Sequence, residues 1–289
     1  MTICIDMGAT EIKVAPIKEK NNQLFVGELN KFPTNASLGK QGIVDALYEA
    51  ITSLVDEDTD GVAIASAGDI DVNTSVITYA TENLPGMIGF DFAGFCMEKF
   101  GLPAFAINDA HAALLGEMVY GVGQEYSDRN AVMLTLGSGV GGGYYSGGEI
   151  VANEDNDYGR FGHICLEQGG RECTCGKLGC IEMYLSGRAI HKDAAAMGID
   201  GADIFDKYAY GESLNVEFIR RFKENLGISL KKVEAVSPFD VVIIGGGVAD
   251  WMGEHFGSIM DDLGYKIIRA SLGNSAGIYG AYAHYKKRR

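Results

Sequence analysis

The chain has 289 residues, of which 47% are hydrophobic and 22% are charged, and its formal net charge is −15. This composition is typical of a globular protein with one large or two medium domains. The negative charge argues against nucleic acid or an anionic membrane as a general partner, because both are polyanions. No apolar run approaches the roughly 18 residues that cross a bilayer, and the N-terminus lacks the basic stretch of a signal peptide. We therefore expect a cytoplasmic protein whose cysteines stay reduced.

The first half of the chain alternates between strand and helix patterns. Short apolar runs predict strands at residues 3–5, 12–17, 24–32, 61–65 and 104–107. Helical patterns cover residues 41–55 and 92–100, and a third helix is expected from Asp109 or Ala110 to about Tyr120.

The second half repeats this alternation. Strands are predicted at residues 131–136, 240–244 and 266–270, and a glycine-rich hairpin runs through Tyr144 and Tyr145. Helices are predicted at residues 181–197 and 215–236, and from about Ser275 to the end of the chain. Strands that alternate with helices imply an α/β fold with largely parallel sheets.

One histidine and three cysteines lie within eighteen positions, with the spacing His-x9-Cys-x-Cys-x4-Cys. They are His163, Cys173, Cys175 and Cys180. One nitrogen and three sulfur ligands match a tetrahedral zinc site, and because the protein fills all four positions, we expect the zinc to be structural. Glycines 176 and 179 lie between the last two ligands, where a tight turn favours residues free to adopt positive φ. The alternative is a coincidental cluster of buried cysteines.

Glycine is unusually frequent, with 40 residues, about twice its average share. Residues 3–10 align with residues 132–139, since each segment has an apolar strand, then a polar residue, then a glycine two positions later. Two such turns facing one another could present backbone amides and hydroxyls to phosphates from both sides. A third cluster, Gly245–Gly247, follows another buried strand. It would permit close approach of a nucleotide base, or alternatively form a turn that packs a helix.

Several motifs together resemble the ROK family (repressors, uncharacterised reading frames and sugar kinases), within the actin-like ATPase superfamily. Asp6-x-Gly8-x-Thr10 resembles its first phosphate motif, and the segment from Thr135 to Gly143 resembles its second. The stretches Asn-Leu-Pro-Gly at 83–86 and Asn-Asp-Ala-His-Ala-Ala at 108–113 also resemble family motifs, and the zinc segment closes with Cys-x-Glu at 180–182. These matches follow the family's order from residue 3 to residue 187, and the glycine turn near 245 extends them.

This resemblance implies two actin-like (ribonuclease H-like) α/β lobes. The N-terminal lobe would cover residues 1–109 and be completed by the C-terminal helix, 275–289, while the larger lobe would cover 110–274 and carry the zinc site. ATP and a sugar would meet in the cleft. Family members commonly form dimers through the larger lobe, so a homodimer is expected.

The resemblance also assigns residues to the nucleotide. Asp6 would orient hydrated magnesium, and a turn-forming role for its side chain is the alternative. The other positions expected to contact ATP are Gly8, Thr10, Thr135, Gly137, Ser138, Gly139, Gly245, Gly246 and Gly247.

The implied reaction is phosphoryl transfer from ATP to a sugar hydroxyl, the 6-hydroxyl of a hexose or hexose derivative. This reaction needs a positioned base, and Asp109 is the candidate, with a helix N-cap as the alternative for an aspartate after a strand. Asn108 and Gly68 would contact sugar hydroxyls. His163 and Glu182 would also reach the sugar, and the alternative for Glu182 is an exposed position in the first turn of a helix.

Two departures from the family pattern bear on the sugar. Arg160 stands where the family usually has a glutamate, and arginine only donates hydrogen bonds whereas a carboxylate only accepts them. The change favours a sugar whose anomeric or C2 substituent is blocked, such as a β-glucoside or an N-acetylhexosamine. Alternatively, Arg160 points to solvent or pairs with an acidic residue at 154, 155 or 157. Residues 65–68 read Ala-Ser-Ala-Gly in place of Gly-x-Pro-Gly. Glucose, fructose, mannose, N-acetylmannosamine, allose and β-glucosides all remain candidates.

Two other functions compete with a sugar kinase. A ROK-type sugar-responsive repressor would carry a DNA-binding winged helix before the first phosphate motif, but here that strand starts at residue 3 and the net charge is strongly negative. A noncatalytic sugar sensor would not require Asp109 together with both phosphate motifs. An ATP-dependent sugar kinase is therefore the expected function.

Overall fold

The computed structural model describes residues 1–21, 23–152 and 159–289. These form two compact units, Met1–Tyr120 with Asn274–Arg289, and Gly121–Gly273. The helix that starts at Asp109 belongs to the first unit, whereas the sequence placed the domain boundary at this residue. It belongs there because it packs along the C-terminal helix, which returns to the same unit.

Within its described residues, the first unit contains eight strands and four of the α-helices. The strands are β1 (Thr2–Met7), β2 (Glu11–Lys20), β3 (Gln23–Val26), β4 (Asn30–Pro33), β5 (Gly61–Ser66), β6 (Asp69–Asp71), β7 (Val76–Tyr79) and β8 (Ala104–Asn108). The helices are α1 (Gly39–Thr52), α2 (Phe92–Phe100), α3 (Asp109–Tyr120) and the C-terminal helix α10 (Ala276–Arg288).

In the main sheet of this unit, the parallel strands β1, β5 and β8 end at the same edge, and this edge carries candidate site residues. β1 is parallel to β5, which is parallel to β8, while β2 is antiparallel to β1 and pairs with β3 and β4. Carboxyl ends of parallel strands lie at one edge of a sheet, so the ends of β1 and β8 bring Asp6 and Asn108 to the same edge. The strands are apolar and fully buried around residues such as Ile5 and Ile64, which fixes this register.

The second unit contains five strands and six α-helices within its described residues. The strands are β9 (Ala131–Leu136), β10 (Val140–Ser146), β11 (Glu149–Ile150), β12 (Val241–Gly245) and β13 (Ile267–Arg269). The helices are α4 (Glu182–Leu185), α5 (Gly187–Ala196), α6 (Ile204–Ala209), α7 (Ser213–Val236), α8 (Gly247–Met252) and α9 (Phe256–Met260).

The sheet of the second unit follows the same plan as the first. β9 is antiparallel to β10 and parallel to β12, just as β1 is antiparallel to β2 and parallel to β5. The internal repeat predicted from the sequence is therefore a repeat of strand pairing. The predicted α/β alternation is present, but the sheets are mixed rather than largely parallel, because each glycine turn returns the chain in an antiparallel hairpin.

Several predicted elements are divided in the structure. The run at 24–32 forms two strands, β3 and β4, and both pair with β2. The helix predicted at 181–197 is two helices, because Ser186 has extended backbone and its hydroxyl accepts a hydrogen bond from the Ala189 N–H as the N-cap of α5. The hairpin β6–β7 and the short helices α6, α8 and α9 were not predicted, since they are too short to show a period.

None of the described helices combines the length and apolar character needed to span a membrane.

Candidate active site and metal cluster

The first glycine turn, between β1 and β2, is held from the side by Thr34. The Gly8 N–H donates to Glu11 O at 3.0 Å, which closes the turn. Thr34 donates its hydroxyl to Gly8 O at 2.8 Å and its N–H to Thr10 O at 3.0 Å, and it is fully buried. Sequence reasoning missed Thr34, because the residue lies far along the chain and its Pro-Thr-Asn context carries no motif.

Asp6, at the end of β1, forms an ion pair with Lys13. The two residues lie directly opposite each other on β1 and β2, and Lys13 Nζ is 3.1 Å from Asp6 Oδ2. Both side chains are largely shielded from solvent, with exposed fractions of 16% and 20%. The cation reduces the repulsion between Asp6 and other acidic groups at this edge of the sheet. Lys13 is a second site residue that the sequence did not single out.

Asn108 and Asp109 stand where β8 ends and α3 begins. The Asn108 side-chain carbonyl accepts the N–H groups of Ala110 and His111 at 3.0 and 3.1 Å, so Asn108 is the N-cap of α3. Its amide nitrogen donates to Gly68 O at 2.9 Å and to Asp109 Oδ1 at 3.1 Å. The capping role considered for Asp109 therefore belongs to its neighbour, and Asp109 is left for other chemistry.

The Asp109 side chain is half-buried, and the two oxygens of its carboxylate differ in their hydrogen bonds. Oδ1 accepts the Ala110 N–H at 2.8 Å as well as the Asn108 amide, while Oδ2 accepts no hydrogen bond from another described residue. Burial, together with the negative charge of Asp6, raises the pKa of Asp109 from its ordinary value of 3.8 to about 6, although these hydrogen bonds oppose the shift. The group is therefore ionised at neutral pH and more basic than an ordinary carboxylate.

The second glycine turn joins β9 to β10 and is anchored by the start of α5. The Gly137 N–H donates to Gly139 O at 2.9 Å within the turn. Gly137 O accepts the Gly187 N–H at 2.7 Å, and Ser138 O accepts Nε of Arg188 at 2.7 Å. Two carbonyls of the turn are thus held by two consecutive residues of α5. Neither of these residues was predicted from the sequence as part of the site.

Glu182, the first residue of α4, holds the other end of this turn. Its Oε2 accepts the Val140 N–H at 3.0 Å, and its residue is only 9% exposed. A Cβ on Gly139 would lie 2.3 Å from the same oxygen, so a side chain at this position would displace the Glu182 carboxylate. The alternative of an exposed glutamate in a first helical turn is therefore wrong for Glu182.

The third glycine cluster lies beside the second turn. Thr135, on β9, pairs with Gly141 on one side and Gly245 on the other. Gly246 has a φ of 85° and turns the chain into α8, and a Cβ there would lie 2.6 Å from Leu136 O. A Cβ on Gly247 would meet no atom within 4 Å. Packing therefore requires glycine at 246, whereas only Gly247 offers open space to a ligand.

The four predicted metal ligands come together in the second unit. The ligand atoms of His163, Cys173, Cys175 and Cys180 all lie within 4.8 Å of one another. The Cys175 and Cys180 sulfurs are 3.6 Å apart, as are His163 Nδ1 and the Cys173 sulfur. Tetrahedral zinc with bonds of about 2.0–2.3 Å has ligand separations of about 3.5–3.8 Å. The donor set and the spacing therefore fit the ion.

Backbone geometry and a polar network support the metal loop. Glycines 176 and 179 have φ of 83° and 72°, as the tight turn required. Tyr184 donates its hydroxyl to Glu167 at 2.5 Å, and the Arg171 guanidinium lies 4.5 Å from the Tyr184 ring centre. Arg171 also bonds Asp193 at 2.9 Å, which ties the loop to α5. These side chains carry no metal signature and were not identified from the sequence.

Arg160 lies just before His163 and is half-buried. Its backbone carbonyl accepts the His163 N–H at 2.8 Å, which links it to the metal loop. The acidic residues considered as its partners, at 154, 155 and 157, lie outside the described residues.

The chain is similar to known proteins over nearly its whole length. A model of the ROK family matches residues 2–288. An N-acetylmannosamine kinase from Shigella boydii is 31% identical over 249 residues, which are 86% of this chain and 83% of that protein. A ROK family glucokinase from Streptomyces griseus, solved with glucose and AMPPNP, is 27% identical with a TM-score of 0.75 over 97% of both chains. A ROK hexokinase from Thermus thermophilus is also 27% identical, with a TM-score of 0.78 over 99% of this chain and 98% of the other.

Proposed function

This chain belongs to the ROK family, and we propose that it is an ATP-dependent kinase that phosphorylates a sugar hydroxyl. The acceptor is the 6-hydroxyl of a hexose or hexose derivative. The observation that carries this proposal is the Asp109 carboxylate, which is held through Oδ1, open at Oδ2 and raised in pKa to about 6. A group of this kind is suited to accept a proton from a hydroxyl at neutral pH.

In the proposed reaction, Asp109 Oδ2 accepts the proton of the sugar hydroxyl as its oxygen attacks the γ-phosphorus of ATP. The Asn108 amide keeps the carboxylate in place, and its bond to Gly68 O fixes the adjoining backbone. Because all four hydrogen-bonding positions of the Asn108 side chain are engaged within the protein, we assign it to positioning rather than to direct sugar contact.

Each glycine turn is proposed to bind nucleotide phosphate through its backbone N–H groups. In the first unit, Thr34 holds the turn and Asp6 would bind magnesium through water. Magnesium would supply charge stabilisation to the phosphates, and Lys13, whose Nζ lies 3.1 Å from Asp6 Oδ2, partly balances the charge of this carboxylate. In the second unit, Glu182 and Arg188 hold the turn at its two ends.

His163, Cys173, Cys175 and Cys180 are proposed to hold structural zinc. A bound zinc ion would cross-link a segment that has little regular secondary structure. Its role would be to fix the backbone around residues 160–182, which includes Arg160 and the start of α4.

We propose an N-acetylhexosamine as the substrate class. An amide carbonyl has no proton and only accepts hydrogen bonds, so it suits an arginine at position 160 better than a glutamate. The N-acetylmannosamine kinase that is 31% identical supports the same class. The competing class is a hexose with a blocked anomeric position, such as a β-glucoside.

An ATP-coupled activity screen tests this function. The sugars are N-acetylmannosamine, N-acetylglucosamine, glucose, fructose, mannose, allose and a β-glucoside, each with wild type and with Asp109→Asn as the background control. We expect turnover to be highest with an N-acetylhexosamine. Sugar binding without turnover of any sugar would contradict the kinase and support the alternative of a ROK-type regulator or sensor.

A further inference from the structure

The second glycine turn leaves two backbone donors unused. The Gly137 N–H bonds within the turn and the Val140 N–H bonds to Glu182. Among the described residues, the N–H groups of Ser138 and Gly139 have no hydrogen-bond acceptor. Consecutive free N–H groups in a turn form a concave site for an anion.

Arg188 is anchored beside these donors by only one of its three nitrogens. Its Nε donates to Ser138 O at 2.7 Å, so the guanidinium is attached to the turn itself. The side chain is exposed, and within the described part of the chain no carboxylate lies within ion-pair distance of it. The edge formed by Nη1 and Nη2 therefore keeps its donors, in the geometry that binds phosphate oxygens in pairs.

Carboxylates are abundant in this chain, whose net charge is −15, yet none of those described pairs with Arg188. Six other arginines form an ion pair with a carboxylate, while Arg288 donates to the side-chain oxygen of Asn73; the six are Arg129, Arg171, Arg220, Arg221, Arg269 and Arg289. The Glu182 carboxylate moreover lies on the same turn and adds negative charge there. A nucleotide phosphate would be repelled by this charge unless a cation lay at the turn, and Arg188 supplies one.

We propose that Arg188 is a phosphate ligand of the nucleotide, which it binds through Nη1 and Nη2 together with the free N–H groups of Ser138 and Gly139. Identification of the anion as ATP rests on the proposed kinase function. The preference for a polyphosphate over a neutral ligand rests only on the N–H groups of Ser138 and Gly139 and on the positive charge of Arg188.

Nucleotide binding to three variants tests this role. Arg188→Gln removes the charge but keeps an N–H donor, Arg188→Lys keeps the charge without the planar fork, and Arg220→Gln on α7 is the control for net charge. The dissociation constant of ATP with magnesium is measured by calorimetry without sugar, at low and at moderate salt. We expect Arg188→Gln to weaken ATP binding roughly tenfold or more at low salt, Arg188→Lys to weaken it less, and Arg220→Gln to leave it unchanged.

Salt dependence separates a phosphate ligand from a residue that only holds the turn. If Arg188 binds phosphate, the loss in Arg188→Gln shrinks as salt rises, because the missing term is electrostatic. A loss equal at both salt concentrations, or no loss, would overturn the proposal, and so would a wild-type protein that binds no ATP. Normal ATP binding with no phosphorylation of any sugar would contradict the kinase function and leave the role of Arg188 intact.

Discussion

Asn108 caps helix α3 with its side-chain carbonyl and, with its amide, holds Oδ1 of Asp109 at 3.1 Å. The two adjacent residues thus take different roles, since Asn108 caps the helix and Asp109 does not. Because the neutral amide satisfies the helix N-terminus, the Asp109 carboxylate keeps one oxygen open. This division is the local arrangement on which the proposed base chemistry depends.

Replacement of the proposed base should abolish most turnover. Asp109→Asn keeps the size of the side chain but removes the basic oxygen, so we expect kcat to fall by roughly 10²–10⁴. The dissociation constant of ATP should change little, since the base does not act on the nucleotide before reaction. Initial rates with the best sugar from the screen, together with calorimetry, measure both. Turnover near the wild-type value would remove Asp109 from the mechanism.

Activity should decline in mild acid. The ionised carboxylate is the active form and the pKa of Asp109 is raised to about 6 by burial and by Asp6. The rate at low sugar concentration should therefore fall about tenfold per pH unit below pH 6. Protonation of His111 does not account for this fall in rate, because burial lowers its pKa to about 4. A rate that stays constant down to about pH 5 would contradict the raised pKa of Asp109.

The same pKa shift predicts that Asp109→Asn stabilises the fold at neutral pH. A carboxyl whose pKa is about 6 when folded and about 3.9 when unfolded lowers folding stability once both states are ionised. This penalty is absent below about pH 4, grows as pH rises towards 6 and stays constant above it. We expect the variant to gain roughly 1–3 kcal/mol at pH 8, measured by chemical denaturation. An equal gain at about pH 4 would show that the cause is not ionisation.

Two substitutions at Asn108 separate its capping role from its contact with the base. Asn108→Ala loses the cap, and we expect it to lower the free energy of unfolding by about 1 kcal/mol. Asn108→Asp keeps a capping oxygen but loses the donor to Asp109 and adds a negative charge, so the acid limb of activity should move up by roughly one pH unit. An unchanged pH profile in Asn108→Asp would argue against electrostatic coupling of the two residues.

Metal analysis tests the proposed zinc site, and Cys165 provides a matched control. Cys175 and Cys165 are both exposed, but only Cys175 belongs to the ligand cluster. We expect one zinc per chain in wild type and in Cys165→Ser, and none in Cys175→Ser. Loss of the ion should lower the melting temperature by roughly 5–10 °C. Equal melting temperatures with and without metal would contradict a structural role.

Local patterns were sufficient for much of the fold. The apolar run of β1 and the turn after it are readable because strand, polar residue and glycine are contiguous. The helix at Phe92–Phe100 was predicted with its observed bounds, and in the structure Asp91 caps its start and Gly101 follows its end. Ser186 marks a break that local patterns did not predict. This single capping serine divides the helical pattern at 181–197 into two helices, and the spacing of apolar residues does not indicate the break.

The sequence by itself determined the family, the α/β alternation, the repeat and the set of metal donors, because each is expressed in residues that are close together or regularly spaced. Only the tertiary structure decided which side chains hold the two glycine turns. Thr34 reaches Gly8 and Arg188 reaches Ser138 across distant parts of the chain, and such contacts depend on the path of the backbone rather than on any local motif. The pKa of Asp109 likewise follows from burial and from Asp6, since desolvation and Coulomb energy depend on distances that exist only after the strands have packed.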